Sequence, residues 1–246
     1  MDSNFIFTGD YPEPLKQWIR DEVNRAFQKC RTQFGSAPDS HGIPRVRIAP
    51  GYGGTAHFES LQLFISPSLE INPNHDGESK ALEEIQRLIH HEMVHIFQHH
   101  LLGKDKMYAL PTWFSEGMAV AFSGQSIIWK PSDFKQELTA FNSLPDAETY
   151  LLMQQHKPFD MKSAPFDSLY DIWGIAFIYS IAEGERMHPD YKKTDGPHLS
   201  SKELLRAVAI VRDTPELGFP KSLQKHSNKQ SLTLSNLGKV ICAFMA

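Results

Sequence analysis

From Ala81 to Leu102 the chain sets Leu82, Ile85, Ile89, Met93 and Ile96 at helical spacing, and the pattern stops at Gly103. This predicts a helix of about six turns, and the fold must be assembled against its apolar stripe. Inside that helix His91, Glu92 and His95 stand as H-E-x-x-H. On a wheel of about 100° per residue with His91 at zero, His95 falls near 40° and Glu92 near 100°, while the apolar stripe spans about 120° to 200°. The two sectors are adjacent but distinct. One helix can therefore be buried along one side and present two imidazoles and a carboxylate on another, with both rings aimed at a single metal ion.

A chain of this composition, with 12 His, is expected to contain only about 0.035 such matches by chance. The competing reading is a His-rich solvated helix, since His90, His99 and His100 lie beside the motif. A third ligand separates the two. Catalytic zinc keeps three protein ligands and an open position for water. The H-E-x-x-H-x-x-G-x-x-H pattern of metzincins would need Gly at Gln98 and His at Leu101, so that route fails. A Glu on a following helix is the other route, and Glu116 comes after 20 intervening residues in Pro111-Thr112-Trp113-Phe114-Ser115-Glu116-Gly117-Met118-Ala119.

The pair HHEMVHIFQHH and LPTWFSEGMAVAF resembles the gluzincin zinc metallopeptidases of the peptidase MA-like type, whose second motif reads W-x-x-E-G-x-A. A Y-x-x-x-G-x-x-F segment carried by Tyr170, Gly174 and Phe177 is similar to that family as well. The resemblance implies a zincin-like metalloprotease fold holding one catalytic Zn²⁺, with His91, His95 and Glu116 as its ligands and Glu92 as general base. It also implies an oxyanion donor from the helical part, for which Tyr170 is the candidate, with His156 and His188 as outsiders. Thermolysin-like gluzincins place an Asp four residues after the ligand Glu to orient a zinc histidine; here that position is Val120. Hydrogen-bonded support for the zinc histidines must therefore come from elsewhere.

The implied chemistry is peptide-bond hydrolysis. Zinc held by two neutral imidazoles and a carboxylate lowers the pKa of its water toward about 7, and Glu92 takes the proton as the water attacks a carbonyl. An extended peptide or protein substrate is expected along an edge strand, placed at Gly53–Phe58 leading into Ser60–Ile65. Gluzincin aminopeptidases carry G-x-M-E-N there, and GGTAH lacks that Glu, which favours an endopeptidase over an aminopeptidase. A catalytically silent zinc-binding interaction module is the other alternative. Intact Glu92 speaks against it, because a structural site has no use for the base.

Around these motifs the chain reads as α+β. Leu15, Trp18, Ile19, Val23, Ala26 and Phe27 predict an amphipathic helix from Leu15 to Phe34, closed by Gly35. Val46–Ala49 and Ala56–Ile65 predict two strands joined by a turn containing Gly51, Gly53 and Gly54. After these come the zinc-type helix, then helices at 111–122, 146–155, 170–182 and 201–211. Residues 1–103 are thus expected to form an α+β lobe with the HExxH helix. Residues 104–246 form a mainly helical lobe carrying the third ligand, the two making one catalytic unit. Trp18, Trp113, Phe114, Trp173 and Phe177 are read as core.

Composition narrows the alternatives. At 246 residues the chain buries roughly 70–75% of its extended surface. Its longest apolar stretch, Ile172–Ala182, falls well short of the about 20 residues of a membrane span. A net charge of −4 without a basic cluster disfavours nucleic acid as partner, and with it a DNA-associated protease. The opening MDSNFIFTGDYPEPLK shows no signal-peptide pattern, and Cys30 and Cys242 are too few for a disulfide framework. A cytoplasmic location is the default, with a mature secreted form left open. Neither Cys sits in a nucleophile motif, and a lone His57 in a strand reads as an ordinary residue.

Overall fold

A computed structural model describes residues 4–35, 42–71, 76–125, 169–184, 199–227 and 244. The chain divides into two compact units, Met1–Lys104 and Asp105–Ala246.

In the first unit, Pro12 and Pro14 bias the chain into helix α1, Glu13–Phe34, and Gly35 ends it with φ 72°. Its buried face runs Leu15, Ile19, Val23, Ala26, Phe27, Cys30 and Phe34. Trp18, expected in the core, is only half-buried because it lies at the border of that face.

The sheet has four strands, β1 Phe5–Phe7, β2 Arg45–Ala49, β3 Gly53–His57 and β4 Ser60–Phe64, in the order β1-β2-β4-β3. β1 and β4 run parallel to β2, and β3 is antiparallel to β4. Three sequence expectations change here. The first strand, β1, was not anticipated, since three residues are too short to show a period. The single strand expected at Ala56–Ile65 is a hairpin that turns at Phe58-Glu59, with His57 opposite Ser60. That turn has no Gly or Asn to announce it. Finally, of the stretch expected along the edge, Gly53–His57 is an edge strand but Ser60–Phe64 is an inner one. Burial explains the placement: Val46, Ile48, Leu61 and Leu63 are fully buried, whereas Thr55 and His57 are exposed.

Helix α2, Asp76–Leu102, begins five residues earlier than its pattern predicts and ends at Gly103, φ 78°, whose N–H donates to the His99 carbonyl. It lies against α1, β3 and β4. Phe97 packs on Phe27 and Phe34 at ring distances of 5.5 and 5.2 Å, and His90 Nε2 meets Gln33 Oε1 at 2.9 Å. Tyr11 ties the start of α1 to the end of β4 by donating to the Ile65 carbonyl at 2.8 Å. The unit is thus an α+β layer in which α2 packs on α1, β3 and β4.

The second unit is helical where it is described: α3 Thr112–Ser123, α4 Leu169–Ile181, α5 Ser201–Leu217 and α6 Phe219–His226. Pro111 is the N-cap of α3 rather than its first residue. A capping box starts α5: the Ser200 hydroxyl accepts from the Glu203 N–H, and the Glu203 carboxylate accepts from the Ser200 N–H. Helix α5 runs six residues beyond its expected end, past Pro215, and the Gly218 N–H on the Thr214 carbonyl closes its last turn. Helix α6 was not anticipated, and its Phe219 packs on Trp113 and Phe114. Trp113, Phe114, Trp173 and Phe177 are all buried, as expected. The helix expected at 146–155 lies outside the described residues. No helix among those described is long and apolar enough to cross a membrane.

Candidate metal centre

Every residue of α2 from Ile89 to His99 is buried, on all sides of the helix. His90, His91, His95 and His99 are each less than a tenth exposed, which overturns the reading of a solvated, His-rich helix. Buried imidazoles need specific partners, and His95 has one at each ring nitrogen. His95 Nδ1 lies 2.9 Å from Gln98 Oε1, and His95 Nε2 lies 3.2 Å from His91 Nε2. Because a carbonyl oxygen only accepts, His95 carries its proton on Nδ1, and in the neutral ring Nε2 keeps its lone pair on the side facing His91.

Glu92, 7% exposed, occupies the space under the edge strand. A Cβ added to Gly54 would come within 2.6 Å of Glu92 Cγ. Two turns further along α2, the His99 ring donates to the backbone of His57, and burial together with the neighbouring His95 pulls the His99 pKa down to about 4. Gly54 to His57 advances about 10 Å along a strand, and Glu92 to His99 about 10.5 Å along a helix. Strand β3 therefore runs beside α2 in the same direction, over the HExxH segment.

In α3, Glu116 is half-buried and its neighbour Gly117 is enclosed. A Cβ on Gly117 would stand 2.2 Å from the Trp173 carbonyl oxygen and 2.8 Å from Phe177 Cβ. The absence of a side chain at Gly117 is thus what allows the backbones of α3 and α4 to approach so closely. Rings of Phe114 and Phe177, 5.2 Å apart, close the same crossing. Val120, at the position where thermolysin-like gluzincins carry Asp, is buried at 1% exposure.

His91, His95 and Glu116 each offer one ligand atom, all within 4.8 Å of one another, and this group could hold a metal ion. The donor set fits a zinc-sized ion on a distance test. Two nitrogens bound at about 2.0–2.1 Å to one tetrahedral ion stand about 3.3–3.4 Å apart, and the observed separation is 3.2 Å. Two imidazoles and one carboxylate also leave a tetrahedral ion one open position.

Tyr170 stands in the first turn of α4, 41% exposed, with its ring edge-on to Trp173 at 5.2 Å. It is not among the three clustered ligands. His156, His188 and Cys242 lie outside the described residues. His57 is an exposed edge-strand residue with Nε2 3.5 Å from Thr55 Oγ1. Cys30 is fully buried in α1, and desolvation pushes its thiol well above the usual range, so it is no nucleophile.

Sequence reasoning missed four contributors. Gln98 could have been found, since i+3 places it beside His95. The close approaches of Gly54 and Gly117 and the bond from His99 to β3 join distant segments and leave no local signal. No protein-family model, curated protein or solved structure matches the chain, so the site is read from its own chemistry.

Proposed function

We propose that the protein is a zinc-dependent metallopeptidase of the gluzincin type on a zincin-like fold, acting as an endopeptidase on extended peptide or protein substrates. The supporting observation is the clustering of His91, His95 and Glu116 together with a buried Glu92 beneath edge strand β3. A silent metal-binding module would have no use for that carboxylate or for the glycine that makes room for it.

Zinc bound by the three side chains supplies Lewis acidity and a water acidified toward a pKa of about 7. Glu92 takes a proton from the attacking water and delivers it to the departing amine nitrogen as the C–N bond breaks. The substrate backbone lies along β3, pairing with its outer N–H and C=O groups, which holds the scissile carbonyl over the Glu92 side. Tyr170 donates a hydrogen bond to the oxyanion of the tetrahedral intermediate.

Zinc analysis and peptide cleavage test this directly. Wild type is expected to bind about one Zn²⁺ per chain, and His91→Ala, His95→Ala or Glu116→Ala each to lose most of it. Glu92→Gln should keep the metal and lose hydrolysis by several orders of magnitude. Metal-free wild type, unchanged in stability by a chelator, would reject the site. A wild type that binds zinc but cleaves no member of a peptide library would reject the peptidase in favour of the binding module.

A further inference from the structure

We infer that Gln98 is the positioning residue of the metal centre, fixing the tautomer and ring orientation of His95; this rests on the zinc-peptidase reading above. Gln98 is completely buried, one helical turn past His95 on the same helix. Its Oε1 is 2.9 Å from His95 Nδ1. A neutral imidazole has one N–H and one lone pair, and the two tautomers are close in energy in water. Only the Nδ1–H form presents Nε2 to a metal. The carbonyl oxygen of Gln98 selects that form, because the other would set the Nδ1 lone pair against the oxygen of a completely buried amide. The same bond limits rotation about the His95 ring axis, keeping Nε2 3.2 Å from His91 Nε2.

Val120 is apolar and offers no hydrogen-bond acceptor to a zinc histidine. With an apolar side chain at that position, a neutral amide from the helix's own next turn takes the supporting role on His95. An amide polarises the imidazole less than a carboxylate does, since it carries no charge. Replacing Gln98 by Glu therefore keeps the acceptor and strengthens it, whereas Met keeps length and flexibility and removes it.

The test is zinc affinity, measured by competition with a chromophoric chelator on full-length wild type, Gln98→Met and Gln98→Glu. It is combined with ¹⁵N imidazole NMR of the zinc-loaded wild type. Gln98→Met should bind zinc about 10- to 100-fold more weakly, and Gln98→Glu at least as tightly as wild type. NMR should place the proton of His95 on Nδ1 and the metal on Nε2. Equal affinity of Gln98→Met and wild type would overturn the inference, as would equal loss in both variants or metal on Nδ1 of His95. The Glu variant guards against a Met variant that fails to fold. Wild type that takes up no zinc would overturn the peptidase reading and this inference together. Zinc uptake with an indifferent Gln98 would overturn this inference alone.

Discussion

Gly54 lies so close to Glu92 that a single added methyl would stand 2.6 Å from its Cγ and 3.0 Å from its Cδ. The strand that would line the substrate and the carboxylate that would move the proton are in van der Waals contact through the missing side chain.

Gly54→Ala therefore tests the mechanism from the strand side. Its added Cβ meets the middle of the Glu92 side chain, so the carboxylate or the strand must shift. A misplacement of about 1 Å costs on the order of 10²-fold in rate. Hydrolysis should fall by about that factor while zinc content stays at the wild-type level. Unchanged kcat/KM would separate Glu92 from the chemistry.

Gly117→Ala should act on stability first. Its Cβ would collide with the Trp173 carbonyl oxygen at 2.2 Å, and helix backbone cannot give way as a side chain can. Overpacking of this kind costs typically 1–3 kcal/mol, read as a lower urea midpoint. Since Glu116 is the preceding residue, metal affinity should fall as well. A variant as stable as wild type would show that α3 and α4 do not cross as closely as described.

Tyr170→Phe isolates the phenol. The ring keeps its edge-on contact with Trp173, and the melting temperature is read on the same sample to separate a structural role from a kinetic one. If the hydroxyl serves the oxyanion, kcat falls roughly 10- to 1,000-fold with KM and zinc content nearly constant. Unchanged kcat moves the search to His156 and His188.

Acid sensitivity follows from His99. Its pKa is pulled down to about 4, first by burial, from an unfolded value near 6.5. Between those values the unfolded chain binds a proton that the native chain refuses, so stability rises with pH across the window and is lost as pH falls from about 6.5 toward 4. His99→Gln should flatten urea-unfolding free energy against pH in that window. Asp213 pushes in the same direction at lower pH. Its carboxyl is held well below the usual range by Lys225 and His226, each 2.7 Å away, so its contribution disappears only as pH drops below about 4. That surface group should be salt-sensitive and His99 should not.

The elements that the sequence determined by itself are those written in neighbouring residues. Helix α1 with its Gly35 stop, the bulk of α2, α3, α4 and the start of α5 follow from apolar spacing, prolines and glycines. The placement of His91, Glu92 and His95 in neighbouring sectors of one helix face follows from four-residue spacing, and Gln98 beside His95 could have been read the same way. Each of these depends on interactions within about one helical turn.

Tertiary structure alone decided the rest. Whether His90, His91, His95 and His99 face water or protein depends on α1 and the sheet closing around α2, and the helix pattern is compatible with both. The sheet order β1-β2-β4-β3, with Gly53–His57 at the edge and Ser60–Phe64 inside it, depends on pairings that the β-period of two does not encode. The clearances at Gly54 and Gly117 depend on where Glu92 and the Trp173 carbonyl arrive from, 38 and 56 residues away in the chain. A glycine in sequence states only that no side chain is present; which atom fills that space is settled when distant segments pack, because steric exclusion acts through space and not along the chain.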